Sequence, residues 1–188
     1  IDKYEFSSTA DLGFGISRSL IENLNMSLQV TNGEGFKMPQ GDKYHKISFN
    51  ATYGERILNN NDGYNAGLIF STENTGSDPK NMTSVFGGFA GMGFRLGAEY
   101  DLRQGDTEEN IISASANYKV IDNVDAFLRY DFYDANTSIE DDVTSYMIVG
   151  ALLECAYGLS VAPNLRMTSY EGDEDSVTEY RVNFQFKF

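Results

Sequence analysis

The closing stretch, Thr178 to Phe188, reads Thr-Glu-Tyr-Arg-Val-Asn-Phe-Gln-Phe-Lys-Phe. In an extended chain successive side chains point to opposite sides, so Tyr180, Val182, Phe184, Phe186 and Phe188 share one face. Glu179, Arg181, Asn183, Gln185 and Lys187 share the other. One face is strongly aromatic and the other wholly polar. Such a strand belongs either to a soluble sheet with one buried face or to a membrane barrel whose apolar face meets lipid.

The same alternation runs through the chain. Tyr4, Phe6, Ala10, Leu12, Phe14 and Ile16 keep one parity, which predicts a long first strand from Asp2 to Arg18, with a turn at Ser19 to Asn23. Leu24 to Val30 follows as a second strand, His45 to Tyr53 as a third and Tyr64 to Phe70 as a fourth, the last after a turn in the Asn59-Asn60-Asn61-Asp62-Gly63 run. Ser84 to Met92 is Gly-rich, and its facing is not set by the pattern. Phe94 to Arg103, Ile112 to Val120, Val124 to Phe132 and Tyr146 to Tyr157 are the next strands, with Gly105 to Asn110 and Ala135 to Val143 as acidic loops. A turn through Gly158 to Pro163 leads to a strand with Leu165 and Met167, and Glu171 to Ser176 precedes the closing stretch. The expectation is an all-β chain, 1–188 as a single domain, with about 11–12 strands of barrel length and no helix.

Composition narrows the class. Lys and Arg number 14 against 28 Asp and Glu, a formal net charge of −14. Nucleic acid demands a basic face, so it is excluded as a partner. One Cys, Cys155, forbids an intramolecular disulfide. No window approaches the roughly 18 apolar residues of a membrane helix, but a transmembrane strand needs only about 9–11 residues with every second one apolar.

Three features favour a transmembrane antiparallel up-and-down β-barrel over a sandwich. Tight connections alternate with longer ones rich in acids and Asn, as when one end faces the periplasm and the other the exterior. Tyr and Phe recur near strand ends on the apolar face, where interfacial girdles sit. Charged residues recur in mid-strand on the polar face, which a water-filled lumen accommodates. The predicted pore lining is Lys46, Arg95, Glu99, Asp101, Arg103, Lys119, Asp125, Arg129, Asp131, Arg166, Glu179 and Arg181. Over the whole expected lumen face basic and acidic side chains nearly balance, and opposed rings of that kind set a transverse field.

Short motifs carry a family resemblance. Asp2-Lys3-Tyr4, Ser8-Thr9-Ala10-Asp11-Leu12-Gly13 and Val30-Thr31-Asn32-Gly33-Glu34-Gly35 with Lys37 and Pro39 resemble the middle of Gram-negative outer-membrane porins related to the phosphate-selective porin group. Gly97-Ala98-Glu99-Tyr100, Arg129-Tyr130-Asp131, Ala162-Pro163-Asn164 and the terminal Phe188 are similar to that group's later strands. The resemblance implies a barrel of about sixteen strands from a chain about twice as long, of which this sequence is the C-terminal part. An odd count of strands points the same way, because bacterial barrels normally keep both ends in the periplasm. The resemblance also implies that Tyr180, Phe184, Phe186 and Phe188 are read by the barrel-assembly machinery. The group's anion specificity needs basic clusters, and this chain has none. Its acidic loops predict a mild cation preference that salt weakens.

Chemistry beyond permeation finds little support. His45 is the only histidine. An interfacial place near a strand end outweighs a catalytic one, since no Ser and acid accompany it convincingly. Sites of His or Cys type lack ligands. Asp141, Asp142, Asp173 and Asp175 are weak calcium candidates in acidic loops without EF-hand spacing, and solvated loops are the plainer reading. The function expected is a passive outer-membrane channel, neither enzyme nor cofactor protein, whose partners are outer-membrane lipid, lipopolysaccharide and small hydrophilic solutes, with a homo-oligomer compatible. The rivals are a structural or docking barrel plugged by a partner such as an electron-carrying cytochrome, and a soluble all-β binding domain.

Overall fold

Each alternating run folds as an antiparallel strand beside its neighbour in sequence. The computed structural model describes residues 4, 6, 10–35, 41–74, 76, 79–172 and 175–187. The strands are β1 (Gly13–Ile21), β2 (Leu24–Thr31), β3 (Lys46–Gly54), β4 (Gly63–Glu73), β5 (Lys80–Gly91), β6 (Phe94–Gln104), β7 (Glu108–Ile121), β8 (Val124–Asp134), β9 (Val143–Glu154), β10 (Leu159–Tyr170) and β11 (Val177–Phe186). They form one 11-stranded sheet in chain order, the up-and-down arrangement. A single 3-10 turn spans Ala156–Gly158. Among the described residues the sheet is not closed: β1 pairs with β2 alone and β11 with β10 alone.

Register keeps like with like. Ala51, Leu68, Val85, Tyr100, Ile112 and Phe132 lie opposite one another in succession from β3 to β8, an unbroken apolar row across six strands. On the reverse side Phe86, Glu99, Ser113, Asp131 and Tyr146 form the corresponding row from β5 to β9. A slip of one residue anywhere would exchange the two rows, so the pattern itself fixes the pairing.

The two faces differ in exposure, and in the opposite sense to a soluble sheet. Phe70 is 42% exposed and Leu128 44%, whereas Asp101 is 0% and Asp131 1% exposed. Tyr4 and Phe6 are the only described residues outside the strands that pack onto the buried hydrophobic cluster. With so little covering it, the polar face becomes the hidden one because the twisted sheet curls towards it.

One end of the sheet carries tight connections, Glu22-Asn23, Met92-Gly93, Asp122-Asn123 and Cys155 to Gly158, with the longer β3–β4 turn among them. Met92 (φ 53°) and Gly93 (φ 82°) both adopt the left-handed conformation that a two-residue hairpin of matching twist requires. The opposite end carries the acidic connections 32–45, 74–79, 105–107, 135–142 and 171–176.

Several expectations need correction. The first strand starts at Gly13, with Ala10 to Leu12 outside it; Asp2 lies outside the described residues, and Phe6 is buried on the polar side rather than on the apolar face. Asp11 accounts for the boundary. Its carboxylate accepts the Gly33 N–H at 2.8 Å and the Gly35 N–H at 3.2 Å, so a side chain takes the donors that a longer ladder would use. The strand also runs on to Ile21, through most of the expected turn. Strand β9 ends at Glu154 rather than Tyr157, because Tyr157 (φ 62°) and Gly158 (φ 76°) turn the chain there. Pro163 lies inside β10, not in a turn. It stays opposite Val182 of β11, and the β9 ladder skips Ala162 and Pro163, sparing the bond its missing N–H would have made. Finally, Glu108 to Asn110 belong to β7 rather than to a loop.

Candidate functional site

The predicted pore-lining residues all fall on the polar face, where most of them contact an opposite charge, in three of five pairs a near neighbour in sequence. Arg129 Nε donates to Asp131 Oδ1 at 2.8 Å, and Ser113 Oγ donates to the same oxygen at 2.8 Å. Asp131 is thereby held by two donors in a nearly water-free position, the condition under which a buried carboxylate is tolerated. Arg103 grips Glu109 through two nitrogens, and the Tyr133 hydroxyl donates to Glu109 Oε2 at 2.9 Å. Arg95 meets Asp62 at 2.8 Å, Lys119 meets Asp122 at 3.1 Å and Arg181 makes two bonds to Glu179. These last pairs are more exposed and hold little stability each. Charges therefore compensate between near neighbours.

The remaining members of the set have mixed company. Arg166 Nε donates to Asn164 Oδ1 at 2.9 Å, and Asn164 Nδ2 reaches Asn183 Oδ1 at 2.9 Å on β11. Lys46 lies opposite Glu73, and Asp125 opposite Lys119. Asp101 faces Ser84 across β5 and β6, and both side chains are almost wholly buried. Two hollows open on this face. One of about 320 Å³ is lined by Asn65, Phe86, Glu99, Ser113, Ser115 and Arg129, and one of about 490 Å³ by Ser17, Asn25, Ser27, Asn50 and Thr52 among others. The second is lined mainly by Ser, Thr and Asn, whereas Leu58, Leu96 and three glycines also line the first.

The facing of β5, open from sequence, is settled by its partners. Val85 lies opposite Leu68 and Tyr100 on the apolar side, which turns Met82, Ser84 and Phe86 to the polar side. Phe86, Phe127, Ile111, Met82, Tyr133 and Glu109 belong to this wall and were not expected in it. The bulky apolar ones break the alternation rule that identifies the face. Glu109 had a readable signal: a basic Arg103 before the Gly105 turn and an acid the matching distance after it.

Tyr180, Phe184 and Phe186 line the apolar side of β11, opposite Leu165, Val161 and Leu159. Phe188 lies outside the described residues. His45 is exposed and precedes β3. Asp141, with φ 68°, and Asp175 are exposed in the β8–β9 and β10–β11 connections. Asp142 stands beside Asp141, and Asp173 lies outside the described residues. Among the described residues no group of three or more His, Cys, Asp or Glu comes together as a metal site.

In the β3–β4 turn the Glu55 carboxylate accepts the Ile57 N–H at 2.9 Å and Asn61 Nδ2 at 3.1 Å. The Ile57 N–H first, and Asn61 second, hold it below the usual carboxylate range. Neither a protein-family model nor a curated protein matches this chain.

Proposed function

We propose that the sheet is the wall of a bacterial outer-membrane β-barrel, a porin-like channel passing small hydrophilic solutes or ions passively down their gradients. One observation carries the reading: the large apolar side chains are on the exposed face, and the charged ones are on the hidden face. In water that arrangement forfeits the hydrophobic contribution that stabilises a sheet. In a bilayer it is the favourable one, since lipid covers the apolar belt and water fills the polar side.

Hydrocarbon tolerates no unpaired backbone donors, so in the membrane the free edges of β1 and β11 are paired and the curled sheet is part of a closed ring. The tight connections then face the periplasm. The acidic ones form the outer mouth beside lipopolysaccharide, where their negative potential concentrates cations. The lining needs no catalytic step: its ion pairs and hollows position water and solutes without a nucleophile or acid-base pair. The resemblance of the short motifs to phosphate-selective porins supports a porin-like barrel and leaves its anion preference out, for want of a basic cluster.

Reconstitution into planar bilayers tests the reading. Discrete ohmic conductance steps, with a folded form that migrates faster on gels until it is heated, are expected. A protein that stays monomeric in buffer without detergent and never conducts would contradict it.

A further inference from the structure

The polar wall is interrupted at one place by an apolar seat, and residues of the same chain occupy it. Met82 on β5 and Ile111 on β7 point to the hidden face, where the neighbouring side chains are Ser, Asp, Glu and Arg. Phe6 packs against both and is 4% exposed, and Ile111 is 0% exposed. The Arg103 guanidinium carbon lies 4.6 Å from the centre of the Phe6 ring, a cation–π arrangement. Tyr133 on β8 closes the seat, meeting Phe6 edge-on at 6.0 Å and Tyr4 at 4.6 Å with the rings 31° apart. Glu109 holds the frame together, binding Arg103 on one side and the Tyr133 hydroxyl on the other.

The site is built on both sides. Bare Met82 and Ile111 would be misplaced in a water-filled lumen, and Phe6 gives them their cover. The Tyr4 phenol is affected as well: burial first, and the Asp131 carboxylate second, push its ionisation well above the ordinary range. Met82, Arg103, Glu109 and Tyr133 all lie near the strand ends that lead into the acidic connections, so the seat is at one mouth of the passage and not at its middle.

We propose that Tyr4 and Phe6 form an internal strap seated on Met82, Arg103, Ile111 and Tyr133, and that this strap narrows the mouth of the channel. The inference rests on the channel reading above. It adds that the conducting width is set by two aromatic rings of the chain itself, whose removal widens the passage. Occlusion by seated side chains is a familiar physical basis for pore restriction.

The chain contains no Trp, so Phe6→Trp introduces a single indole as reporter. In the reconstituted protein its emission should be blue-shifted and protected from acrylamide, and Ile111→Ser should expose it by spoiling the seat while leaving the strap intact. Phe6→Ala should raise single-channel conductance severalfold. If Phe6→Ala does not assemble, Ile111→Ser carries the same expectation. An indole freely quenched in the otherwise unchanged protein overturns the proposal. A protected indole with conductance unaltered in Phe6→Ala and Ile111→Ser overturns the narrowing and leaves the channel standing. A protected indole in a protein that never conducts removes the channel, and the strap's role with it.

Discussion

Phe86 lies across Gly67, its direct partner on the neighbouring strand, so closely that a Cβ on Gly67 would fall 2.5 Å from Phe86 Cζ. The same relation recurs between Phe127 and Gly150, where the ring would be 2.6 Å away. In each case a bulky ring on the polar face folds over a glycine and so lies close against the sheet.

Gly67→Ala should therefore destabilise the protein by about 1–3 kcal/mol, because the added methyl must displace the Phe86 ring and also meets the Ala51 carbonyl. Gly87→Ala is the control, since its Cβ would meet the Asn65 carbonyl oxygen at an ordinary 3.5 Å. Unfolding in urea, followed by loss of the heat-modifiable band, measures both. Combining Gly67→Ala with Phe86→Ala should recover part of the loss, and equal costs at Gly67 and Gly87 would contradict the packing.

Met92 occupies a left-handed position, φ 53°, that an Asn accepts far more readily, and its side chain is exposed. Met92→Asn should stabilise the hairpin by about 1 kcal/mol. Urea midpoints of parent and variant decide it, and a lower midpoint for the variant would count against the turn geometry.

Leu128 and Ser115 are on opposite faces at similar depth along β7 and β8, since Leu128 pairs with Ala116 and Ser115 with Arg129. Leu128→Arg should destabilise the membrane-inserted protein by about 2–4 kcal/mol, whereas Ser115→Arg should chiefly change conductance. Equal destabilisation at both positions would sink the assignment of lipid and lumen faces.

Glu55 binds the turn as a carboxylate, with its ionisation lowered below the ordinary value of 4.5. The sign follows from that depression: its contribution is complete above the ordinary value and is lost only as pH falls through the lowered one. The Ile57 amide resonance should titrate with a midpoint below that of a free glutamate, and Glu55→Gln should abolish the titration. A midpoint at or above the ordinary value would show that the carboxylate is not held.

The strand order and the two faces were legible because period-two alternation holds through nearly every strand, the closing Thr178 to Phe188 stretch most plainly. It fails where the physics is not periodic. Phe127 and Ile111 have the parity of the polar face but an apolar side chain, and Phe86 lies in the Gly-rich run whose facing the pattern leaves open; the glycines opposite the two rings and the seat under Phe6 accommodate them on the polar side. Tyr4 and Phe6 keep the parity of β1, and only the Asp11 carboxylate, by taking the N–H groups of Gly33 and Gly35, shows why the strand starts later. Glu109 was hidden by the acidity around it, although its partner Arg103 stands in register across the turn.

The central claim, that the polar face lines a water-filled passage through a membrane, is tested most directly by thiol modification during single-channel recording. With Cys155 replaced, Ser115→Cys should react with a charged, membrane-impermeant thiol reagent and lower the conductance in discrete steps, while Leu128→Cys should neither react nor change the current. Modification at Leu128→Cys with Ser115→Cys inert, or a protein that gives no current in either form, would contradict the account.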